Sequence, residues 1–386
     1  MRDEAEYKAE SEALEVGTRG GRDAEGVRIS YYSPLPPSRS GIADYSALLL
    51  PALQERMDVV VARPGRFRRT PKADVVLYHV GNDPNEHGWI VEALERRPGV
   101  VVLHEFVLHH LVSGITLARG DVEGYCAALE RDAGPEGREL GVAVQQGRIE
   151  PLWETRAQEF PLAHGVLDAA IGLIVHSRYV EDLAREAGYD RPISRVPMPA
   201  WPVPPIVPEP IDGGPVVGCF GHVNESKRLP QILEAFERLG PDARLLLVGS
   251  WSPRMPRIEL PPNVIRRDYV PEDELWRLLA ACDLVVSLRW PTMGETSAAA
   301  VRALSVGKPL IVSDVGAFCE LPDKVAIKVP VGDGEVDSLV EAIGRAAGNG
   351  EMSEAARRVA ATEHRLDRTA DLYAEALRSA VPAVAA

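Results

Sequence analysis

Three short stretches hold the residue types that could do chemistry. The first is PTMGETS, residues 291–297, where one acid sits among small polar residues ahead of an Ala-rich segment. Thr296 or Ser297 can cap a helix there, and Glu295 near the first turn suits the helix dipole. Capping leaves Gly294 and the run Ala298-Ala299-Ala300 unexplained. A pocket for a ligand carrying phosphate and hydroxyl groups accounts for both. The second stretch is GHVNESKRLPQILEAF, residues 221–236. Gly221 gives a tight turn, and Lys227 and Arg228 are expected at the start of a helix. Cations at that end oppose the helix dipole, so a bound phosphate explains them better than capping or a solvated surface pair. The third is VVVLHEFVLHH, residues 100–110, which puts His104 and Glu105 at the end of an apolar run. Zinc-protease spacing would need a histidine where Leu108 stands. His104 and His109 would face different sides of a helix, so no metal site is expected.

Two further loops carry weaker signals. SPLPPSRSGIADYS (33–46) is rich in small residues, and Ser40 and Gly41 would let backbone come close to a ligand. RPGRFRRTPK (63–72) clusters basic residues around Phe67 in an otherwise acidic chain, and is expected either as a solvated loop or as a contact with an anionic membrane surface or lipid-linked phosphate. Gly218 and Gly221 do not form a dinucleotide fingerprint, because the third glycine and the ribose-binding acid are missing.

These loops need a scaffold, and the apolar pattern supplies one. The segments 27–34, 58–63, 73–80, 100–106 and 173–177 are short and rich in β-branched residues, as buried parallel strands are. Residues 45–57 and 178–189 are expected as helices between them. The stretch 197–215 holds eight prolines and can be neither helix nor central strand. A second alternation follows, with strands over 216–220, 244–249, 263–268, 283–288 and 309–314. Helices are expected over 229–239, 271–282 and 297–307, and over 353–381 with a break near Glu363. Strand alternating with helix predicts an α/β fold of two doubly wound, Rossmann-like domains. Ligands of open parallel sheets sit beyond the carboxyl ends of the strands, which places the expected ligand in a cleft between the two domains. The expected divisions are a disordered tail (1–26), a first domain (27–205), a proline-rich linker (206–215), a second domain (216–362) and a final helix (363–386).

Composition excludes several classes. A net charge of −14 over 386 residues argues against a nucleic-acid binder. No apolar stretch is long enough to span a membrane, and the polar, acidic N-terminus is no secretory signal. The four cysteines have neither disulfide-framework nor zinc spacing, which fits a reducing cytoplasm.

Taken together, residues 33–46, 101–110, 173–183, 221–236, 245–249, 281–297 and 302–323 make the chain from Val27 onward resemble the retaining glycosyltransferases of family 4. The resemblance implies the GT-B fold, two Rossmann-like domains facing across a cleft, with the C-terminal helix crossing back to the first domain. It implies a nucleotide-diphosphate sugar as donor and a glycan, lipid-linked or small-molecule acceptor. Sugar transfer would retain anomeric configuration and need no cofactor or metal. Such an enzyme would serve glycan or polysaccharide assembly in the cytoplasm, with peripheral membrane contact through 63–72. Donor-binding residues would be Gly221, His222, Lys227, Arg228, Gly249, Gly294, Glu295, Thr296 and Ser297, with Lys227, Glu295 and His104 catalytic. His222 stands where the family has an arginine, and Arg228 is expected to compensate. The family's second glutamate falls at Arg302 or Ala303, which leaves the ribose contact unassigned. Rival readings are a nucleotide-sugar epimerase, a phosphorylase, or a binding module of the same fold without catalysis.

Overall fold

Two runs of buried, β-branched strands build two separate parallel sheets. The computed structural model describes residues 26–65, 71–256 and 258–385. The expected tail (1–26) and the core of the basic loop around Phe67 therefore lie almost wholly outside the described residues. The described chain divides into two units. One holds residues up to Pro197, the short segment Met293–Glu295, and everything from Leu366. The other holds Met198–Thr292 and Thr296–Arg365. The proline-rich stretch thus begins at the division, and residues 199–215 form neither helix nor strand.

In the first unit the elements run β1 (Arg28–Tyr32), α1 (Gly41–Gln54), β2 (Asp58–Val61), β3 (Val75–Val80), α2 (Pro84–Arg96) and β4 (Gly99–Leu103). Then come α3 (His109–Ile115), α4 (Val122–Gln145), α5 (Leu152–Thr155), α6 (His164–Ala169), β5 (Ala170–Val175), α7 (Arg178–Glu186) and β6 (Ile193–Arg195). The sheet order is β2-β1-β3-β4-β5-β6, all parallel. Every residue of β3 and β4 is buried, which is why these strands read as unbroken apolar runs rather than alternating ones. Asp121 caps α4, and Gly134 followed by Pro135 kinks it. That interruption hides a 24-residue helix from any periodicity argument.

The second unit runs β7 (Val216–Phe220), α8 (Leu229–Leu239), β8 (Arg244–Val248), β9 (Val264–Arg267), α9 (Glu272–Ala281), β10 (Leu284–Ser287), α10 (Ala298–Ser305) and β11 (Leu310–Ser313). It closes with β12 (Ala326–Val329), α11 (Glu335–Ala346) and α12 (Gly350–Glu363). Its order is β12-β11-β10-β7-β8-β9, again parallel throughout. The chain reverses its direction of travel between β7 and β10, so the loops after these two strands open at the switch point where such sheets take ligands. α8 buries Leu229, Ile232, Ala235 and Phe236 on one stripe against this sheet, as their spacing requires.

The last helix, α13 (Leu366–Ala385), belongs to the first unit. It packs on α1, where the hydroxyls of Tyr45 and Tyr373 meet at 2.7 Å and Arg56 Nε donates to Asp371 at 2.6 Å. The break near Glu363 falls between α12 and α13. Among the described residues no helix is long and apolar enough to cross a membrane.

Candidate active site

The loop after β7 turns at Gly221 and the loop after β8 turns at Gly249, with φ of 99° and 139°. The two glycines touch. A Cβ at Gly249 would lie 2.1 Å from the Gly221 carbonyl oxygen, so both positive φ and close approach demand glycine there. Lys227 follows on a short 3-10 turn, Glu225–Lys227. It is 6% exposed, and its ammonium donates to the Phe220 carbonyl at 2.8 Å, under the Gly221 turn. A solvated surface lysine is thereby ruled out. Burying a lysine stem so that its charge sits at strand carboxyl ends is costly unless an anion or dipoles repay it.

Arg228 departs from expectation in two ways. It is not on the helix but precedes it, in a left-handed conformation with φ 57°, and α8 begins at Leu229. Its guanidinium is also engaged by a protein carboxylate. Nε and Nη2 donate to the two carboxylate oxygens of Glu335 at 3.0 and 2.5 Å, and Glu335 is 1% exposed. Glu335 further accepts from Gly332 N–H at 3.0 Å. Arg228 therefore pairs with a buried carboxylate, a structural role that the expectation of a phosphate contact did not include. His222, at the position of the family's arginine, meets the loop after β8. Its Nδ1 lies 2.9 Å from Ser250 Oγ, and desolvation, with the Lys227 charge second, holds its pKa below the ordinary histidine value.

The sequence reading missed the cations that do gather here. Arg289, just beyond β10, donates from Nη1 to Ser226 Oγ at 3.0 Å, and its backbone N–H donates to Ser313 Oγ at 2.9 Å. Arg266, on β9, donates to the carbonyls of Leu247 and Gly249 and pairs with Asp268 at 2.7 Å. The buried thiol of Cys219, on β7, registers the cluster. Burial raises its pKa, and Lys227, Arg289 and Arg266 each oppose that rise. Three cations, two from loops and one from β9, thus gather near the carboxyl end of β7. One signal in the sequence was available for Arg289, a charge placed directly after the apolar run of β10.

The motif around Glu295 divides between roles. Ser297 caps α10, accepting from Ala300 N–H at 3.2 Å. Thr296 is not the cap. Glu295 Oε2 accepts from Met293 N–H at 2.7 Å, within its own turn. Gly294 has φ 86°, and a Cβ there would come within 3.1–3.2 Å of Phe106 and Val180. Its glycine is thus required by packing. The Met293 carbonyl accepts from the N–H groups of Phe106 and Val107 at 2.8 and 3.1 Å, which is how this turn joins the first unit.

In the first unit, Ser40 caps α1 by accepting from Ala43 N–H at 3.0 Å. Gly41 is exposed, and a Cβ there would meet nothing within 4 Å, so no packing demands glycine at that place. His104, just after β4, enters a buried nest of rings. Its Nε2 lies 3.0 Å from Nδ1 of His79 on β3, and the rings of Tyr45 and His176 pack at 5.1 and 5.3 Å. Burial pushes both His79 and His104 well below the ordinary pKa, and their neighbouring histidines add to it, so the nest is neutral at physiological pH. His109 belongs elsewhere, between the Phe160 carbonyl and the Tyr125 hydroxyl. Among the described residues no three His, Cys, Asp or Glu side chains assemble as a metal site.

Residues 214–349 match the family model described as glycosyl transferases group 1. A curated relative, the 2-deoxystreptamine glucosyltransferase of Streptomyces kanamyceticus, is 26% identical over 146 residues. That match covers 35% of this chain and 37% of the relative, so the chain spans little more than a third of the relative's length. Two solved structures extend the likeness to the whole fold. Sucrose-phosphate synthase of Thermosynechococcus elongatus is 15% identical with a TM-score of 0.65, covering 93% of this chain and 100% of that one. HepE of Anabaena, solved in complex with UDP-glucose, is 16% identical with a TM-score of 0.58, covering 92% and 100%. At these identities the likeness carries the fold, and that fold is GT-B.

Proposed function

We propose that this chain is a glycosyltransferase that moves a sugar from a nucleotide-diphosphate sugar to an acceptor hydroxyl with retention of anomeric configuration. The observation that carries the reading is geometric: Lys227 bonds the Phe220 carbonyl, Arg289 bonds Ser226 beside it, and Arg266 bonds the carbonyl of Gly249, which abuts Gly221, so the three cations gather at the carboxyl end of β7, at the switch point of the sheet that matches the group 1 family model. A diphosphate has the charge and oxygen count to engage such a cluster. The complex of HepE with UDP-glucose supports a nucleotide sugar as the ligand class.

In this reading the bond between the anomeric carbon and the diphosphate oxygen breaks, and its electron pair stays on the diphosphate. The acceptor oxygen bonds the same carbon from the same face, and its proton passes to the departing phosphate oxygen. Lys227, Arg266 and Arg289 stabilise the charge that develops on the leaving group, the largest single contribution such a site can make. Glu295 and His104, both of the first unit, are proposed to meet hydroxyl groups of a sugar substrate. Because fixed cations meet the leaving group, the reaction is proposed to need no metal and no cofactor, with activity surviving EDTA. Glycan assembly is the proposed context.

The test is calorimetry with UDP on the full chain, beside a transfer assay over a donor panel. Lys227→Ala is expected to lower affinity for the nucleoside diphosphate more than 100-fold, and Arg289→Ala about 10- to 100-fold, the range of a lost charge-assisted hydrogen bond. Wild-type affinity in Lys227→Ala would remove the diphosphate from this site.

A further inference from the structure

The ring nest of the first unit determines which edge of His104 carries a proton. His79 is 0% exposed, and its two nitrogens have different surroundings. Nδ1 faces His104 Nε2 at 3.0 Å, and Nε2 is buried with no protein partner. Tyr31 and Tyr45 rings flank it at 4.8 and 5.9 Å, and the Tyr373 ring lies parallel at 6.3 Å. A neutral histidine has one N–H and one lone pair. Two arrangements satisfy the short contact. Either His79 donates from Nδ1 to His104 Nε2, or His104 donates from Nε2 to His79 Nδ1. The second would leave a buried N–H on His79 Nε2 without a protein acceptor, and orphaned buried donors are rarer and more costly than orphaned acceptors.

The same fold repeats the preference at other histidines. His176 Nδ1 faces the Val196 carbonyl at 2.8 Å, which only an N–H can satisfy. Its Nε2 is therefore a bare lone pair, and it too is buried with no protein partner. His87 Nδ1 likewise faces a carbonyl, that of His79, at 3.1 Å. A bare Nε2 in this apolar environment is thus already present one ring away from His104.

We infer that His79 donates to His104 Nε2 and so locks His104 as the Nδ1–H tautomer, which makes His104 a hydrogen-bond donor to its ligand and never a base. His79 is then a positioning residue that acts through His104. The inference rests on the proposed function where it says what His104 meets, namely an acceptor oxygen such as a hydroxyl of a sugar substrate. A donor-only His104 cannot serve as the general base.

The test is ring-nitrogen NMR on the full chain with labelled histidine. Wild-type His104 is expected to be protonated at Nδ1, and protonation at Nε2 would overturn the inference whatever the chain catalyses. His79→Asn, whose amide can donate to Nε2, should keep that tautomer, and a switch to Nε2–H in this variant would also count against it. In a transfer assay His79→Phe is expected to lower kcat about tenfold with an unchanged donor KM, and His79→Asn to recover most of it. Equal kcat in the wild type and both variants would remove the positioning role. Absence of transfer in every sample, with Nδ1–H intact, would instead count against the proposed activity alone.

Discussion

The ends of the two sheets are built on opposite principles. In the second unit, glycine turns, one buried lysine stem and two half-buried arginines bring three cations to the end of β7. In the first, three aromatic and imidazole side chains, Tyr45, His79 and His176, surround His104 without a single net charge among them at neutral pH. A cationic cluster suits a ligand that arrives with charge and must leave with more. A neutral nest suits hydroxyl groups, whose recognition depends on which atom donates. One end thus offers electrostatic stabilisation and the other hydrogen-bond geometry.

The comparison can be broken most severely with acid. His87, His109 and His176, all in the first unit, have pKa values lowered by burial from 6.5 to about 4. Unfolded, they bind protons below about pH 6.5, and folded they do so only near pH 4. Between those values the unfolded state holds more protons, so stability is full above pH 6.5 and falls as pH drops toward 4. The cost is on the order of 3 kcal/mol for each such histidine. Hydrogen exchange at pH 5 should therefore speed up first in β3, β4 and β5. Earlier exchange in β7 and β8 would contradict this.

Next in size is the pair that separates structural from ligand-facing cations. Arg228→Ala leaves Glu335 buried and unpaired, and should destabilise the second unit by about 3–5 kcal/mol in urea unfolding. Its affinity for UDP, measured on folded protein, should stay within about threefold. A loss as deep as that of Lys227→Ala would return Arg228 to the anion site. The smallest effect is expected at His222. Its ring is neutral, so His222→Ala should change UDP affinity less than about threefold by calorimetry. A tenfold loss would mean that the ring carries charge when ligand binds.

Most of the scaffold was legible because buried parallel strands announce themselves as short β-branched runs. β7 and α8 lie where the sequence placed them, residue for residue. What escaped notice was at the margins. β6 and β12 are edge strands of three and four residues, too short to carry a pattern. α2 and α4 escaped as well, the latter because Gly134-Pro135 interrupts its period. Within the site, the position of Lys227 at the end of β7 was legible, since its place after a β-strand and glycine turn is a local feature. Arg228 was not, because its partner Glu335 lies 107 residues further on.

The sequence by itself determined the class of the protein. Strand–helix alternation fixed two parallel α/β sheets, and the loops after the strands held the glycines and lysine that a ligand site requires. These are local properties, set by backbone freedom and burial within a few residues. Only the tertiary structure decided what each charged or titratable side chain does. Arg228 became a partner for a buried carboxylate, Arg266 and Arg289 became the cations of the β7 site, and His79 became the neighbour that fixes a proton on His104. Each of those outcomes depends on distances between residues far apart in the chain, and Coulomb and hydrogen-bond energies respond to distance in space rather than in sequence.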